Sequence, residues 1–172
     1  MTLVAATERL RLCRFDETDA AFVLQLVNEP SWLQYIGDKN VRTLDDARAY
    51  LVNGPLAMYE RCGHGLYRVD LKDSGEAIGM CGLIRRDTLP DVDIGYAFLP
   101  AHWGRGYAEE ATRATLAHAR EIGLRRLLAI VTPGNERSIR LLDKLGLRYE
   151  CDIEMRPGDV TAVFAADLAA PP

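Results

Sequence analysis

The sequence predicts a mixed α/β (α+β) fold, one central mixed sheet with helices on both faces. Three observations lead there. Apolar residues recur at helical spacing before Gly63 and at two-residue spacing after it. From Pro100 onward both periods occur in turn, helix, strand, helix and then two strands. The chain has 172 residues, 48% of them hydrophobic and 27% charged, which suits one domain spanning 1–172 with its core over about 9–167.

The elements follow in order. "RLRLCRF", Arg9–Phe15, alternates basic with apolar and reads as a strand with one face on the core. Asp16 to Asp19 supply helix-capping candidates for "AAFVLQLV", which Asn28-Glu29-Pro30 should end. "SWLQYIG" is aromatic-rich and of undecided state. A second helix starts at Thr43, with Asp46 three residues on as in a capping box, and Pro55 should interrupt or kink it. "LYRVDL" and "AIGMCGLIRR" are strands joined by the turn Lys72-Asp73-Ser74-Gly75. "DVDIGYAFLP" is a third, with Val92, Ile94, Tyr96 and Phe98 on one face and Asp91, Asp93, Gly95, Ala97 and Leu99 on the other. Ala108, Ala111, Thr115, Ala119 and Ile122 mark a long helix closed by Gly123. "RRLLAIVT" is apolar enough for a buried central strand. "ERSIRLLDKLG" is the last helix, and two strands close as a hairpin around Pro157-Gly158-Asp159. The final "AAPP" reads as a frayed end.

Bulk properties exclude several classes. A formal charge of −4 argues against nucleic-acid binding through a global basic field. No apolar run approaches the roughly 20 residues of a membrane helix, and the N-terminus lacks a signal-peptide pattern. Cys13, Cys62, Cys81 and Cys151 form no metal-ligand spacing with His64, His102 or His118. They read as reduced and mostly buried, so the expected location is cytoplasmic, with no metal.

"HWGRGYAEEA" sets two glycines directly before a helix start. Amides at such a start point outward with the positive end of the helix dipole. Gly104 and Gly106 carry no Cβ, so an anion can approach the amides of Gly104 to Ala108 closely, and Arg105 can add a charged contact. No phosphate-binding G-x-x-x-x-G-K-[ST] is present, and a dinucleotide fingerprint counted from Gly104 meets Glu109 where its third glycine belongs. The alternative is a plain tight turn.

"IGYAFLPAHWGRGYAEEA" and "NERSIRLLDKLG", with this element order, resemble the GNAT superfamily of acyl-CoA N-acyltransferases, in particular its ribosomal-protein N-acetyltransferase-like branch, over Arg9 to Asp167. The resemblance implies acetyl-CoA as acyl donor, its pyrophosphate on the amides of Gly104, Arg105, Gly106, Tyr107 and Ala108. Trp103 stands where the family usually has Gln or Arg. Pantetheine would lie between Asp91–Leu99 and Leu127–Val131, bonded to backbone near Phe98 and Leu99, with Asn135 on the arm. The acceptor would be a primary amine, either a small molecule or a protein N-terminus, and the protein a monomer or homodimer.

A reacting amine must lose its proton, and Asp93 is the candidate base because Gly95 and Ala97 on its face leave room for substrate. Asp91 is second, and water or a solvent-facing charge are the other readings. Many relatives carry a tyrosine seven residues past the asparagine; here that position is Leu142. Ser138 matches a serine given the acid role in the ribosomal branch, or it simply caps the helix. An amide near Leu99 would meet the thioester oxyanion. Trp32 and Tyr35 would wall the acceptor pocket or fill core, while Arg137, Arg140 and Lys144 form a basic rim. The missing tyrosine keeps a second reading open, a non-catalytic acyl-CoA-binding or sensing module.

Overall fold

Eight strands form one sheet in the order β1-β2-β3-β4-β5-β6-β8-β7 in the computed structural model, which describes residues 1–168. The closing "AAPP" lies outside the described residues. The strands are β1 (Leu3–Ala6), β2 (Leu10–Arg14), β3 (Leu66–Leu71), β4 (Ala77–Ile84), β5 (Asp93–Phe98), β6 (Arg126–Val131), β7 (Arg148–Arg156) and β8 (Asp159–Asp167). The helices are α1 (Ala20–Leu26), α2 (Pro30–Tyr35), α3 (Leu44–Leu51), α4 (Ala57–Cys62), α5 (Tyr107–Glu121) and α6 (Glu136–Lys144). Every strand pair is antiparallel except β5 with β6. No described helix is long and apolar enough to cross a membrane.

Helices cover both faces, as the mixed fold class requires. Leu116 and Ala119 of α5 and Leu142 of α6 pack on Ile94, Leu127, Val131 and Phe164. On the opposite face Val23, Leu26, Ala47 and Leu51 pack on Met80 and Leu99. Alternation along β5 sends Ile94 to the first layer and Ala97 to the second.

Caps fall where the sequence puts them. The Asp16 side chain accepts from the Thr18 amide, and Thr43 and Asp46 close a reciprocal box at the start of α3. Three elements differ from expectation. β1 is an added edge strand, aligned by β2 rather than by a pattern of its own. Pro30 does not merely end α1. It opens α2 from the first-turn position, where a missing N–H costs nothing, so "SWLQY" is helical. Pro55 leaves the second helix unbroken: a single wider π-helical turn, Val52–Leu56, carries the chain from α3 into α4. The wider turn moves the pyrrolidine ring away from the carbonyl it would strike in an α-helix.

All four cysteines are thiols, but only Cys13 and Cys81 are buried; Cys62 is half-buried and Cys151 exposed.

Candidate functional site

One cavity of about 1260 Å³ runs from the glycine turn, along the β5–β6 gap, to the α2–α3 loop. The gap exists because the two parallel strands pair in register only at Asp93 and Leu128, with the Leu128 amide bonded to the Val92 carbonyl at 2.9 Å. Beyond that point they diverge, and the sheet opens toward α5.

The glycine turn stands at the open end. Gly104 and Gly106 have φ of +73° and +81°, the left-handed region that glycine enters without penalty. The first bond of α5 into the turn runs from the Glu110 amide to the Gly106 carbonyl. Among the described residues no group accepts from the amides of Gly104 through Glu109, and no side chain caps the helix at Gly106. Gly104, Gly106, Tyr107 and Ala108 line the cavity; Arg105 does not, and its carbonyl accepts from Arg9 Nη1 at 2.9 Å. Arg9 also grips Glu110 (Nε to Oε2, 2.7 Å) and covers the Tyr107 ring at 4.6 Å. This brace from the β1–β2 turn holds the cradle in shape. Nothing local in the sequence signals it, since Arg9 and Glu110 are 101 residues apart.

Phe98 and Leu99 divide. The Leu99 amide donates to the Ile78 carbonyl at 2.9 Å and its own carbonyl accepts from His102 N, so both are spent inside the protein. An oxyanion contact from that amide is therefore corrected: sheet register points it at β4. The antiparallel alternation turns the neighbouring Phe98 groups toward β6. There the Phe98 carbonyl accepts from Trp103 Nε1 at 2.9 Å, and Arg137 stacks on the same indole at 4.0 Å. Trp103, in place of a polar residue, thus ties strand end, turn and α6 together.

Asn135 caps α6 through its Oδ1, which accepts from the Ser138 amide at 3.3 Å. The Ser138 hydroxyl lies 2.5 Å from the Tyr96 hydroxyl, which reaches across from β5. Burial pushes the Tyr96 phenol up to about 12, and its hydrogen bond with Ser138 opposes that only in part. Leu142 is fully buried, so the position of the absent tyrosine is filled by core. Tyr96 was legible only as a core-facing strand residue; its pairing with Ser138 depends on how α6 lies over β5.

Asp93 is fully buried at the closed end of the gap. Its Oδ1 accepts from Arg86 Nε at 2.9 Å, while Oδ2 has no partner among the described residues. Burial raises its pKa, and the Arg86 charge and hydrogen bond only partly oppose that. Asp91 instead meets Arg126 at 3.3 Å on the surface, outside the cavity lining. Trp32 and Tyr35 both line the cavity, Trp32 as a buried core residue as well. Arg137, Arg140 and Lys144 border its cradle end. Cys81, buried beside Thr115, has its thiol pushed up to about 12 by burial, which suits packing rather than nucleophilic attack.

A parallel pair that parts beside unpartnered helix-start amides has the geometry to take an anion-headed ligand within its sheet. The comparisons narrow the class: residues 9–148 match the acetyltransferase (GNAT) domain model, and the chain belongs to the GNAT acetyltransferase family. It is an N-acetyltransferase, and transfer from acyl-CoA is the family's chemistry. It is 34% identical over 150 residues to the uncharacterized protein YkkB of Bacillus subtilis, covering 83% of this chain and 84% of that one. The GNAT-family acetyltransferase of Bacillus anthracis superposes with a TM-score of 0.80 at 24% identity, covering 99% and 100% of the two chains. RimL, the ribosomal L7/L12 α-N-protein acetyltransferase in complex with coenzyme A, gives 0.81 at 18% identity over 98% and 99%.

Proposed function

We propose that this protein transfers acetyl from acetyl-CoA directly to a primary amine, either a small molecule or a protein N-terminus, within a ternary complex. The carrying observation is the row of unpartnered amides from Gly104 to Glu109 at the mouth of the β5–β6 gap. The amides of Gly104 through Ala108, Arg105 included, suit a diphosphate, and the Arg137, Arg140 and Lys144 side chains suit the remaining phosphate charge. The gap edge at Phe98 and the amide end of Asn135 suit pantetheine; Leu99 supports that edge through its bond to β4.

In the reaction the amine nitrogen attacks the thioester carbonyl carbon, a C–N bond forms, the C–S bond breaks and the thiolate leaves. Asp93 is the proposed acceptor of the amine proton. Its raised pKa brings it nearer to that of an amine than an ordinary carboxylate, which favours the transfer. Ser138, oriented by Tyr96, hydrogen-bonds the developing charge on sulfur. Among the described residues no cysteine lines the cleft, which supports direct transfer over an acyl-enzyme.

Initial rates measured with acetyl-CoA and an amine panel, following free thiol and acetylated product by mass, test the reading. Intersecting double-reciprocal lines are expected. Parallel lines would replace direct transfer by a covalent route, and binding without thiol release would favour the sensing module.

A further inference from the structure

The far end of the cavity, away from the cradle, carries its own charge. Lys39 comes from the α2–α3 loop, Arg86 from the segment after β4 and Arg156 from the end of β7. Three separate segments bring these cations together on the wall of the cleft.

Little opposes them. Arg86 is held by Asp93. Asp38, the carboxylate next to Lys39, is taken by Arg42 in a two-pronged ion pair. Glu29 and Asp159 also line the cavity, yet among the described residues neither Lys39 nor Arg156 has a carboxylate within ion-pair distance. Lys39 has its pKa lowered, first by desolvation and then by the like charges of Arg86 and Arg156. Mutual repulsion of this kind weakens a fold unless an anion relieves it. Beside the cluster sits Asp93 Oδ2, the one buried carboxylate oxygen without a donor among the described residues. An unmade hydrogen bond at a buried carboxylate is costly, and an ammonium or amine N–H satisfies it.

We propose that the acceptor is an amino carboxylate, its amine facing Asp93 Oδ2 and its carboxylate held by Lys39, Arg86 and Arg156. This rests on the acetyl-transfer reading of the same cleft and adds the acceptor's chemical class to it. The carboxylate has two sources, a free amino acid or an acidic side chain just after a peptide's free N-terminus. The shared chemistry is an anion a few bonds from the amine.

The test sets matched acceptors against one another: amino acids, their carboxamides, their decarboxylated amines, and short peptides with acidic or neutral second residues. The carboxylate member is expected to have kcat/KM about tenfold or more above its carboxamide. Lys39→Ala and Arg156→Ala should each shrink that ratio, with KM for acetyl-CoA unchanged. Calorimetry of the same acceptors on the CoA-bound protein supplies a readout independent of turnover, with tighter binding of the carboxylate lost in both variants. The better of the amino-acid and peptide arms names the source. Equal use of carboxylate and carboxamide, or preference for a decarboxylated amine, overturns the proposal while acetyl transfer stands. If no amine is acetylated, the transfer reading falls, and the binding comparison still decides the anion site.

Discussion

The Tyr96 hydroxyl lies 2.5 Å from Ser138 Oγ, linking β5 to the first turn of α6 where the β5–β6 gap has opened. A phenol pushed up to about 12 keeps its proton at neutral pH, and either hydroxyl of the pair can donate to the other. When Tyr96 donates, the serine proton is free to point at another acceptor in the cleft. With Leu142 buried in the core, this pair brings hydroxyls to the wall of the gap.

Tyr96→Phe should therefore lower kcat by about tenfold to a hundredfold, somewhat less than the loss of a direct oxyanion donor, with little change in KM for acetyl-CoA. Ser138→Ala should do the same, and the double variant should be hardly worse than either, because the two hydroxyls act as a unit. Steady-state thiol release checks this. A loss confined to KM would make the pair a binding contact.

The cradle gives a second prediction. A Cβ on Gly104 would meet open space, whereas one on Gly106 would come 3.3 Å from Arg9 Nη2; both glycines have positive φ. Gly104→Ala should thus cost only backbone strain, roughly 1–2 kcal/mol. Gly106→Trp should abolish acetyl-CoA binding by filling the anion's place, while the fold survives. Calorimetry with acetyl-CoA and thermal melts separate the two effects, and unchanged affinity in Gly106→Trp would count against the cradle.

Much of this site was legible because it is local. Gly104 and Gly106 announce a turn at a helix start, and Asn135 to Ser138 announce another, within a few residues each. Capping at Asp16 and Thr43 was readable for the same reason. What escaped depends on distant partners. β1 has a strand's geometry only because β2 supplies its hydrogen bonds. Pro55 reads as a break until a π-helical turn absorbs it. Arg9 over the cradle, Tyr96 on Ser138 and the Leu99 amide on Ile78 are set by packing and register. No period within β5 says which of its amides meets β4.

Stability should be sensitive to Arg68. Its guanidinium is mostly buried and joins two buried carboxylates, Asp70 at 2.7 Å and Asp19. Arg68→Ala strands both in the protein interior, and the expected loss is about 3–5 kcal/mol. Arg48→Ala, which opens an exposed pair with Asp45, should change almost nothing. Urea unfolding of the two variants checks the contrast; equal losses would show that the buried cluster is relaxed by water.

Asp93 ties pH to both stability and rate. Burial raises its pKa in the folded protein above the ordinary carboxylate value of 3.8, although Arg86 opposes the shift. The native state then holds this proton more tightly than the unfolded chain. Its contribution to stability is fully present below the unfolded value and is lost as pH rises through the folded one. Urea midpoints should accordingly fall over that interval in the wild type, and Asp93→Asn should remove that part of the fall. As the amine's proton acceptor, the same carboxylate must be ionised to act, so kcat/KM should rise with pH through the raised value. Asp93→Asn should flatten that acidic limb and lower the plateau by about a hundredfold, within the usual range for losing a general base. Parallel pH profiles for wild type and variant would assign proton removal to water and leave Asp93 as the anchor of Arg86.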